Sequence, residues 1–291
     1  MQFIMEEVRL KEVLKNVLRP VVSTLSRARS KVERFLGVPP KKQIVICGYP
    51  RSGTSLLYNM MASSISGFKF ENFEVSALRR IHRYGDYLTK SPTDIMLVSE
   101  LPELNVHNKQ IYVVALLRDI RDIITSVHPN IPDRYFISYE SSLWPQIGNI
   151  NEWTYNAPGV GAIYEKLQSA ENISEIKLIK VYYEDLVAKP DTVQDYLKKE
   201  LGVTFHKPFS EFYKEKDKLP YRYEGTSKSK SLDPSLVRED KPVDPSRAGK
   251  WRNPKHKDRI KMQFNEYPQL FEILTVNGYE KDDSWYSEYK E

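Results

Sequence analysis

The stretch Gly48–Ser55 has the composition and glycine spacing of an anion-binding loop. The apolar run before it, Val45–Cys47, predicts a buried strand, and the spacing after it predicts a helix from Thr54 to Ser64. The two glycines let the backbone approach a ligand closely, and the dipole of the helix favours negative charge at its start. A strand, a glycine-bounded loop and a helix start therefore predict a phosphate site.

The glycines have the spacing of a P-loop, in which a lysine after the second glycine contacts the β- and γ-phosphates of a nucleoside triphosphate. Thr54 stands at the lysine position, and Arg51 lies inside the loop. The loop is therefore expected to hold a phosphate but not a triphosphate with its magnesium ion. An ordinary glycine turn before a helix is the alternative, and the block Pro50–Ser55 favours a binding site over it.

The stretch from Gly48 to Leu57, which contains this block, resembles the 5′-phosphosulfate loop of the sulfotransferases that use 3′-phosphoadenosine 5′-phosphosulfate (PAPS). The resemblance implies that the loop binds the 5′-phosphate of PAPS and of its product, 3′-phosphoadenosine 5′-phosphate (PAP). It assigns this role to Pro50, Arg51, Ser52, Gly53, Thr54 and Ser55. Arg51 would also stabilise the leaving phosphate. No metal ion is expected in this chemistry, and no Cys/His cluster has metal-ligand spacing.

A second motif follows a strand predicted over Gln110–Leu117. Because ligands bind at the carboxyl ends of parallel strands, Arg118 at the end of this strand is placed to meet one. The nine residues from Arg118 to Ser126 resemble the 3′-phosphate motif of the same family, with these two residues as the phosphate-binding pair. Guanidinium and hydroxyl groups suit a terminal phosphate. A salt-bridged helix start is the alternative for Asp119 and Arg121.

Two further stretches follow the order of the family. Tyr183 comes after a strand predicted over Ile176–Val181, and the resemblance implies contact with the adenine ring. Further on, a shortened form of the family's C-terminal cofactor clamp assigns three more residues to the donor: Gly249, Lys250 and Trp251. The longer Arg-Lys-Gly form is absent, which leaves the roles of Arg247 and Arg252 open.

A catalytic lysine is predicted between the two phosphate motifs. The stretch Tyr87–Pro92 reads as a short strand that runs into a turn. Within it, Lys90 occupies the place of the family's lysine that faces the sulfonate, and it is assigned a catalytic role. Pro92 occupies the place of the histidine base of many cytosolic members. The resemblance therefore implies that a carboxylate takes the proton of the acceptor.

Two glutamates are candidates for this base. Glu74 directly precedes a helix predicted over residues 75–81, and it is the first candidate. Glu71 is the second and His128 is the third. For either glutamate alone, an ordinary surface carboxylate near a helix start is the alternative interpretation. A general base of this kind acts by accepting the acceptor proton in the transition state.

Outside the motifs, the sequence predicts a single α/β domain. The expected architecture has three layers, α/β/α, around a central, mainly parallel sheet with P-loop-like wiring. Residues 41–291 form this domain, after an amphipathic helical segment over residues 1–40. An aromatic-rich insertion on the acceptor side is predicted over 128–162, a mobile polar loop over 214–246 and a final helix over 257–274.

The amphipathic segment combines a helically spaced apolar stripe, from Leu10 to Val22, with lysines and arginines at the other positions. Packing of this stripe on its own domain or on a partner subunit is the favoured interpretation, and it is compatible with a homo-oligomer. Contact with a membrane surface is the alternative, because basic amphipathic helices also lie on bilayers.

Composition narrows the function classes. A net charge of +5 suits an anionic nucleotide donor better than a nucleic-acid groove. The single cysteine, Cys47, excludes a disulfide within the chain. The sequence shows no signal peptide and no apolar run of about 18 residues, so a cytoplasmic protein without a transmembrane segment is expected.

Together the motifs imply a PAPS-dependent sulfotransferase, which moves a sulfonyl group from PAPS to a hydroxyl or amine of an acceptor such as a glycan, a lipid or a small molecule. Two alternatives remain. One is an ATP-dependent kinase on the same scaffold, which Thr54 in place of lysine disfavours. The other is a non-catalytic protein that binds PAP and transfers nothing.

Overall fold

A parallel sheet forms the centre of the computed structural model, which describes residues 24–72, 74–127, 131, 135–146, 149–218 and 242–289. Its strands are β1 (Lys42–Gly48), β2 (Tyr87–Lys90), β3 (Gln110–Leu117) and β6 (Ile176–Tyr182). They lie in the order β2-β1-β3-β6, and every neighbouring pair is parallel. The predicted α/β class with a mainly parallel sheet is confirmed.

Helices cover both faces of this sheet. They are α1 (described over 24–35), α2 (Thr54–Ala62), α3 (Leu101–Leu104), α4 (Ile120–Ile124), α5 (Val160–Glu171), α6 (Tyr183–Ala188), α7 (Pro190–Leu201), α8 (Lys257–Glu266) and α9 (Gln269–Val276). Successive side chains of a strand point to opposite faces. Ile44 and Ile46 of β1 accordingly join the core with α2, α6 and α7, whereas Val45 and Cys47 join the core with α4, α5, α8 and α9.

The strand register places the predicted motifs at one edge of the sheet. Gly48, the last residue of β1, is paired with Leu116, and Ile46 is paired with Lys90 at the end of β2. Arg118 follows the end of β3, and Tyr183 follows the end of β6. Because the strands are parallel, all four strand ends lie at the carboxyl edge, where such sheets bind ligands.

The aromatic-rich segment 128–162 contains a second sheet, which the sequence prediction did not include. The strands β4 (Ser141–Gln146) and β5 (Asn149–Pro158) pair antiparallel as a hairpin. Earlier in the same segment, the ring of Phe136 lies 5.7 Å from the guanidinium carbon of Arg51. The segment therefore contacts the predicted anion loop.

Two predicted helices have different bounds in the structure. The helix predicted over 75–81 is a short 3-10 turn, Ala77–Arg79. The final helix predicted over 257–274 is broken into α8 and α9 before Pro268. Proline has no N–H for a helical hydrogen bond and disfavours helical dihedrals at the preceding residue, Tyr267. Tyr267 has φ −128° and ψ 77°, outside the helical region.

Both ends of the loop predicted over 214–246 contain short 3-10 elements. A 3-10 helix covers Phe209–Lys218, and a 3-10 turn covers Pro245–Arg247. Three predictions concern residues that lie outside the described ranges: the apolar stripe from Leu10 to Val22, the candidate base His128 and the central part of this loop. No helix of the described chain is long and apolar enough to cross a bilayer.

A substitution of Gly48 tests how much the close approach of the anion loop to β3 contributes to the stability of the fold. Its φ is 132°, and a Cβ at this position would contact the carbonyl oxygen of Leu116. Gly48→Ala is expected to lower the free energy of unfolding by at least about 2 kcal/mol, through backbone strain and steric overlap. Urea denaturation measures this loss.

Gly278→Ala is the matched control. Gly278 also has a positive φ, 75°, but a Cβ there would meet nothing within 4 Å. In this control the free energy of unfolding should fall by only about 1 kcal/mol, the conformational cost of a non-glycine residue in the left-handed region. Equal losses in the two variants would show that the close approach of Gly48 to β3 contributes nothing.

Candidate active site

A cleft of about 1130 Å³ opens at the carboxyl edge of the sheet. Its walls come from five parts of the chain: the loop between β1 and α2 with the start of α2, the segment that follows β3, α6, the 3-10 helix that contains Phe212, and residues 242–256. Among the predicted site residues, those that line the cleft are Arg51, Gly53, Thr54, Ser55, Arg118, Ser126, Tyr183, Gly249 and Lys250. The structure thus brings both predicted phosphate motifs and the clamp into one space.

The anion loop has an unusual backbone. Gly48, Arg51 and Gly53 all have positive φ, and Arg51 at 65° is one of the few non-glycine residues described with this conformation. Ser52 is fully buried, and its N–H and hydroxyl both donate to the carbonyl of Tyr49, at 3.2 and 2.7 Å. Gly53 is the N-cap of α2 and offers no capping side chain, so an anion can take the first N–H groups of the helix.

Tyr183 closes the loop from the side. A Cβ on Gly53 would come within 2.6 Å of Cδ2 of the tyrosine, so only glycine allows this approach. The same ring lies 4.3 Å from the guanidinium carbon of Arg118, in cation–π geometry. Burial raises the pKa of the Tyr183 hydroxyl. The tyrosine therefore connects the anion loop to the end of β3.

Asp122, to which the sequence interpretation gave no role, holds the cleft walls together. Its side chain is 0% exposed, and its Oδ2 lies 3.0 Å from Nη2 of Arg118. The same carboxylate accepts the N–H groups of Gly249 and Trp251, both at 2.8 Å. A carboxylate four residues after an arginine at a helix start is a recognisable local signal. No such local signal indicates the contacts with the clamp, which lies over 120 residues away in the sequence.

Arg118 makes further contacts within the protein. Its Nη1 donates to the carbonyl of Arg51 at 3.0 Å, and its Nη2 donates to the carbonyl of Arg247 at 2.7 Å. Together with Asp122, these partners link the anion loop, α4 and the clamp through one guanidinium. Ser126 lines the same cleft. Arg118 therefore positions the site in addition to presenting positive charge to it.

The cleft has a strong excess of positive charge. Its lining includes six cationic side chains, Arg51, Arg118, Arg247, Lys250, Arg252 and Lys255, and two carboxylates, Asp122 and Asp244. The pKa of Arg51 lies below its ordinary value, because the cleft walls desolvate its guanidinium and because Arg118 and Arg247 repel its charge. Bound anions relieve such repulsion, so the charge of the cleft favours a polyanionic ligand.

Two catalytic candidates meet at the end of β2, beside the anion loop. Nζ of Lys90 lies 2.5 Å from Oε2 of Glu74, and the side chains are 3% and 32% exposed. The hydroxyl of Ser91 is 3.5 Å from the other carboxylate oxygen, and the N–H of Ser91 donates to Ile46 of β1. Neither Lys90 nor Glu74 is among the described residues that line the cleft.

A buried carboxyl that the sequence interpretation missed supports this pair. Asp94 accepts the N–H of Ala77 at 2.7 Å and so anchors the backbone three residues after Glu74. Burial raises the pKa of Asp94 to about 6, and the charge of Glu74 adds to the shift. Its signal in the sequence was weak, since an aspartate in a short polar turn is usually exposed.

The second base candidate has a different environment. Oε1 of Glu71 lies 2.5 Å from Nη2 of Arg80. The backbone of Glu71 is also tied to Tyr58, whose hydroxyl donates to the Glu71 carbonyl at 2.8 Å. Glu71 therefore contacts an arginine of the neighbouring turn, whereas Glu74 contacts the predicted sulfonate lysine.

Three predicted donor-binding residues do not line the cleft: Pro50, Ser52 and Trp251. Trp251 is buried, and its ring lies 3.8 Å from the guanidinium carbon of Arg121. Arg121 forms an ion pair with Asp119 at 2.7 Å, and Asp119 caps α4 by accepting the Arg121 N–H. The alternative interpretation of Asp119 and Arg121 as a salt-bridged helix start is thus confirmed.

Comparison with known proteins agrees with the motifs. The family model of the sulfotransferase domain matches residues 41–253, which include the anion loop, Arg118 and the clamp. The chain belongs to the sulfotransferase domain family. It is therefore a transferase by family, and none of the curated proteins matches it.

Two solved structures are similar to this sulfotransferase domain. One is the sulfotransferase domain from the Synechococcus PCC 7002 olefin synthase, with 18% identity, a TM-score of 0.44, and coverage of 74% of this chain and 88% of that chain. The other is the sulfotransferase domain from the curacin biosynthetic pathway, with 18% identity, a TM-score of 0.43, and coverage of 78% and 98%.

Removal of the Asp122 charge tests the link between α4 and the clamp. Asp122→Asn leaves Arg118 and two N–H groups without their ionised acceptor. Breaking a buried ion pair in this way is expected to lower the free energy of unfolding by about 3 kcal/mol. Urea denaturation measures the loss.

Asp195→Asn is the matched control, because Asp195 is exposed on α7. Surface changes of this kind usually stay within about 0.5 kcal/mol. If Asp122→Asn is as stable as this control, the carboxylate does not hold the clamp in solution.

Proposed function

We propose that this sulfotransferase domain uses PAPS and transfers its sulfonyl group to a hydroxyl or amine of an acceptor. The observation that carries the proposal is the single cationic cleft formed by the anion loop, Arg118, Ser126 and the clamp. The loop offers backbone N–H groups to a 5′-phosphate, while the guanidinium and hydroxyl suit a 3′-phosphate. PAPS carries negative charge at both of these positions.

The lining of the cleft also fits the adenine base. Leu56, Val187, Phe212 and Val243 line the same cleft together with Tyr183. Apolar and aromatic side chains of this kind cover the faces of a flat ring, and a few polar groups then orient it. Cationic and apolar residues in one cleft match a nucleotide donor better than inorganic sulfate or phosphate.

In the proposed reaction, the S–O bond between the sulfonyl group and the 5′-phosphate of PAPS breaks, and the acceptor oxygen or nitrogen bonds to the sulfur. The electron pair of the broken bond stays with the phosphate of PAP. Arg51 and the first N–H groups of α2 stabilise this developing charge, in the way that fixed donors act in phosphoryl transfer. The acceptor loses one proton.

Glu74 is the residue that we propose takes this proton. It is one-third exposed and lies beside the anion loop, because its partner Lys90 is paired with Ile46 of β1. Lys90 holds the carboxylate in one orientation, and its contact with the sulfonate stays a prediction, because Lys90 is 3% exposed and does not line the cleft. Glu71 is the weaker candidate, since its carboxylate is bound by Arg80.

The first test concerns the ligand. PAP should raise the melting temperature far more than AMP or ATP does, because a ligand that binds only the folded state stabilises it. At about 100 times the dissociation constant, the gain is about 2.7 kcal/mol. Equal shifts with AMP and PAP would mean that the cleft does not recognise the 3′-phosphate.

Ser126→Ala sharpens this test. Arg118 also binds two backbone carbonyls, so its replacement would disturb the loop and the clamp together. The Ser126 change removes a hydroxyl only, and PAP affinity should fall by about 1.5–3 kcal/mol while AMP affinity stays the same. Ser169→Ala, on the exposed side of α5, is the control.

The second test concerns catalysis. A positioned base usually contributes at least about 100-fold in rate, so Glu74→Gln should lower turnover by that factor with PAP affinity unchanged. Glu71→Gln is the matched control and should keep most of the activity. The assay is sulfonyl transfer from labelled PAPS to a panel of hydroxylated and amine acceptors.

Two outcomes would contradict parts of the proposal. Full turnover of Glu74→Gln with loss in Glu71→Gln would reverse the assignment of the base. Tight PAP binding by the native protein without transfer to any acceptor in the panel would favour the non-catalytic PAP-binding alternative.

A further inference from the structure

Helix α1 presents an apolar face away from the domain. Leu25, Val32, Phe35 and Leu36 are between 57% and 90% exposed. Their spacing of three, four and seven residues places them on one side of the helix. Large exposed apolar side chains grouped in this way usually mark an interaction site.

Polar contacts fix α1 to the domain. The hydroxyl of Ser30 donates to the carbonyl of His107 at 2.8 Å. Glu33 accepts the hydroxyl of Tyr84 at 2.7 Å, and the guanidinium carbon of Arg29 lies 3.8 Å from the centre of the same ring. The described contacts of α1 therefore orient its apolar face outward.

Positive charge is concentrated in the first 40 residues of the sequence. Residues 1–40 contain eight Lys and Arg and four Glu, so they carry four of the five net positive charges of the chain. In α1, Arg27, Lys31 and Arg34 are exposed, and helical spacing places Lys31 next to Phe35 and Arg27 next to Lys31. The turn that leads to Tyr84 adds the exposed Arg83.

We propose that this surface of α1 docks on a membrane that contains anionic phospholipids. The α1 surface consists of Leu25, Arg27, Lys31, Val32, Arg34, Phe35 and Leu36. Apolar side chains at the headgroup boundary and cations beside them are the two requirements for such binding. A second copy of the chain suits the surface less well, because a symmetric interface would bring the same cations together.

The position of α1 is compatible with the proposed chemistry. Tyr84 and His107, which hold α1, precede β2 and β3 and so lie at the amino edge of the sheet. The cleft lies at the carboxyl edge. Docking through the α1 surface would therefore leave the cleft accessible from the other side, and the proposal does not depend on the identity of the acceptor.

The experiment is sedimentation of the full chain with vesicles. Vesicles of phosphatidylcholine mixed with phosphatidylglycerol should bind at least about tenfold more tightly than phosphatidylcholine alone. High salt should weaken this binding, because salt screens exposed charges. Removing three cations with Arg27→Gln, Lys31→Gln and Arg34→Gln should lower the affinity by about 100-fold. Val32→Asn with Phe35→Ser should also lower it.

Matched controls change the same chemistry elsewhere. Lys166, Lys198 and Lys281 are exposed, and their replacement by Gln removes the same charge. Met262→Ser with Val276→Asn removes two exposed apolar side chains, 47% and 57% exposed. Both control proteins should bind vesicles nearly as well as the native chain. The PAP-induced melting shift should be retained in all four variants, which shows that they are folded.

Three results would overturn the proposal. The first is an absence of binding to the mixed vesicles. The second is equal loss in the α1 variants and in their controls, which would mean that only net charge matters. The third is a native dimer that Val32→Asn with Phe35→Ser converts to a monomer without any vesicle binding, since a second copy would then cover the surface.

Discussion

The ion pair between Arg118 and Asp122 is the contact on which the rest of the cleft depends. Asp122 accepts the N–H groups of Gly249 and Trp251, and Arg118 donates to the carbonyls of the anion loop and of the clamp. One pair of charges thus connects a strand end, a loop and a segment from near the C-terminus. Because Asp122 is buried, these partners also satisfy a carboxylate that would otherwise be costly to desolvate.

This arrangement explains how the protein can gather so many cations at one edge. Among the cleft residues, Asp122 is paired with Arg118, and the guanidinium carbon of Arg252 lies 4.5 Å from the centre of the Trp251 ring. Desolvation lowers the pKa of Arg51, and repulsion from Arg118 and Arg247 lowers it further. Phosphates at two ends of one nucleotide would reduce that repulsion.

The parallel sheet separates two kinds of surface. Its carboxyl edge carries the cleft and, at the neighbouring strand end, the ion pair of Lys90 with Glu74. Its amino edge carries α1, which is attached through Tyr84 and His107. In a parallel sheet all strand ends of one kind meet at the same edge, so a docking surface and a catalytic cleft can coexist without sharing residues.

The sequence by itself determined the strands of the parallel sheet, the anion loop and the order of the motifs. Each of these depends on local patterns: the apolar runs of β1 and β3, the two loop glycines and the arginine after β3. Pro268 was also a local signal for a helix break, and the helix predicted over 257–274 did not take it into account. Only the tertiary structure decided that Glu74 meets Lys90 while Glu71 meets Arg80. It also decided that Asp122 binds the clamp. This contact joins residues 127 positions apart in the sequence, and no local pattern predicts such a pairing.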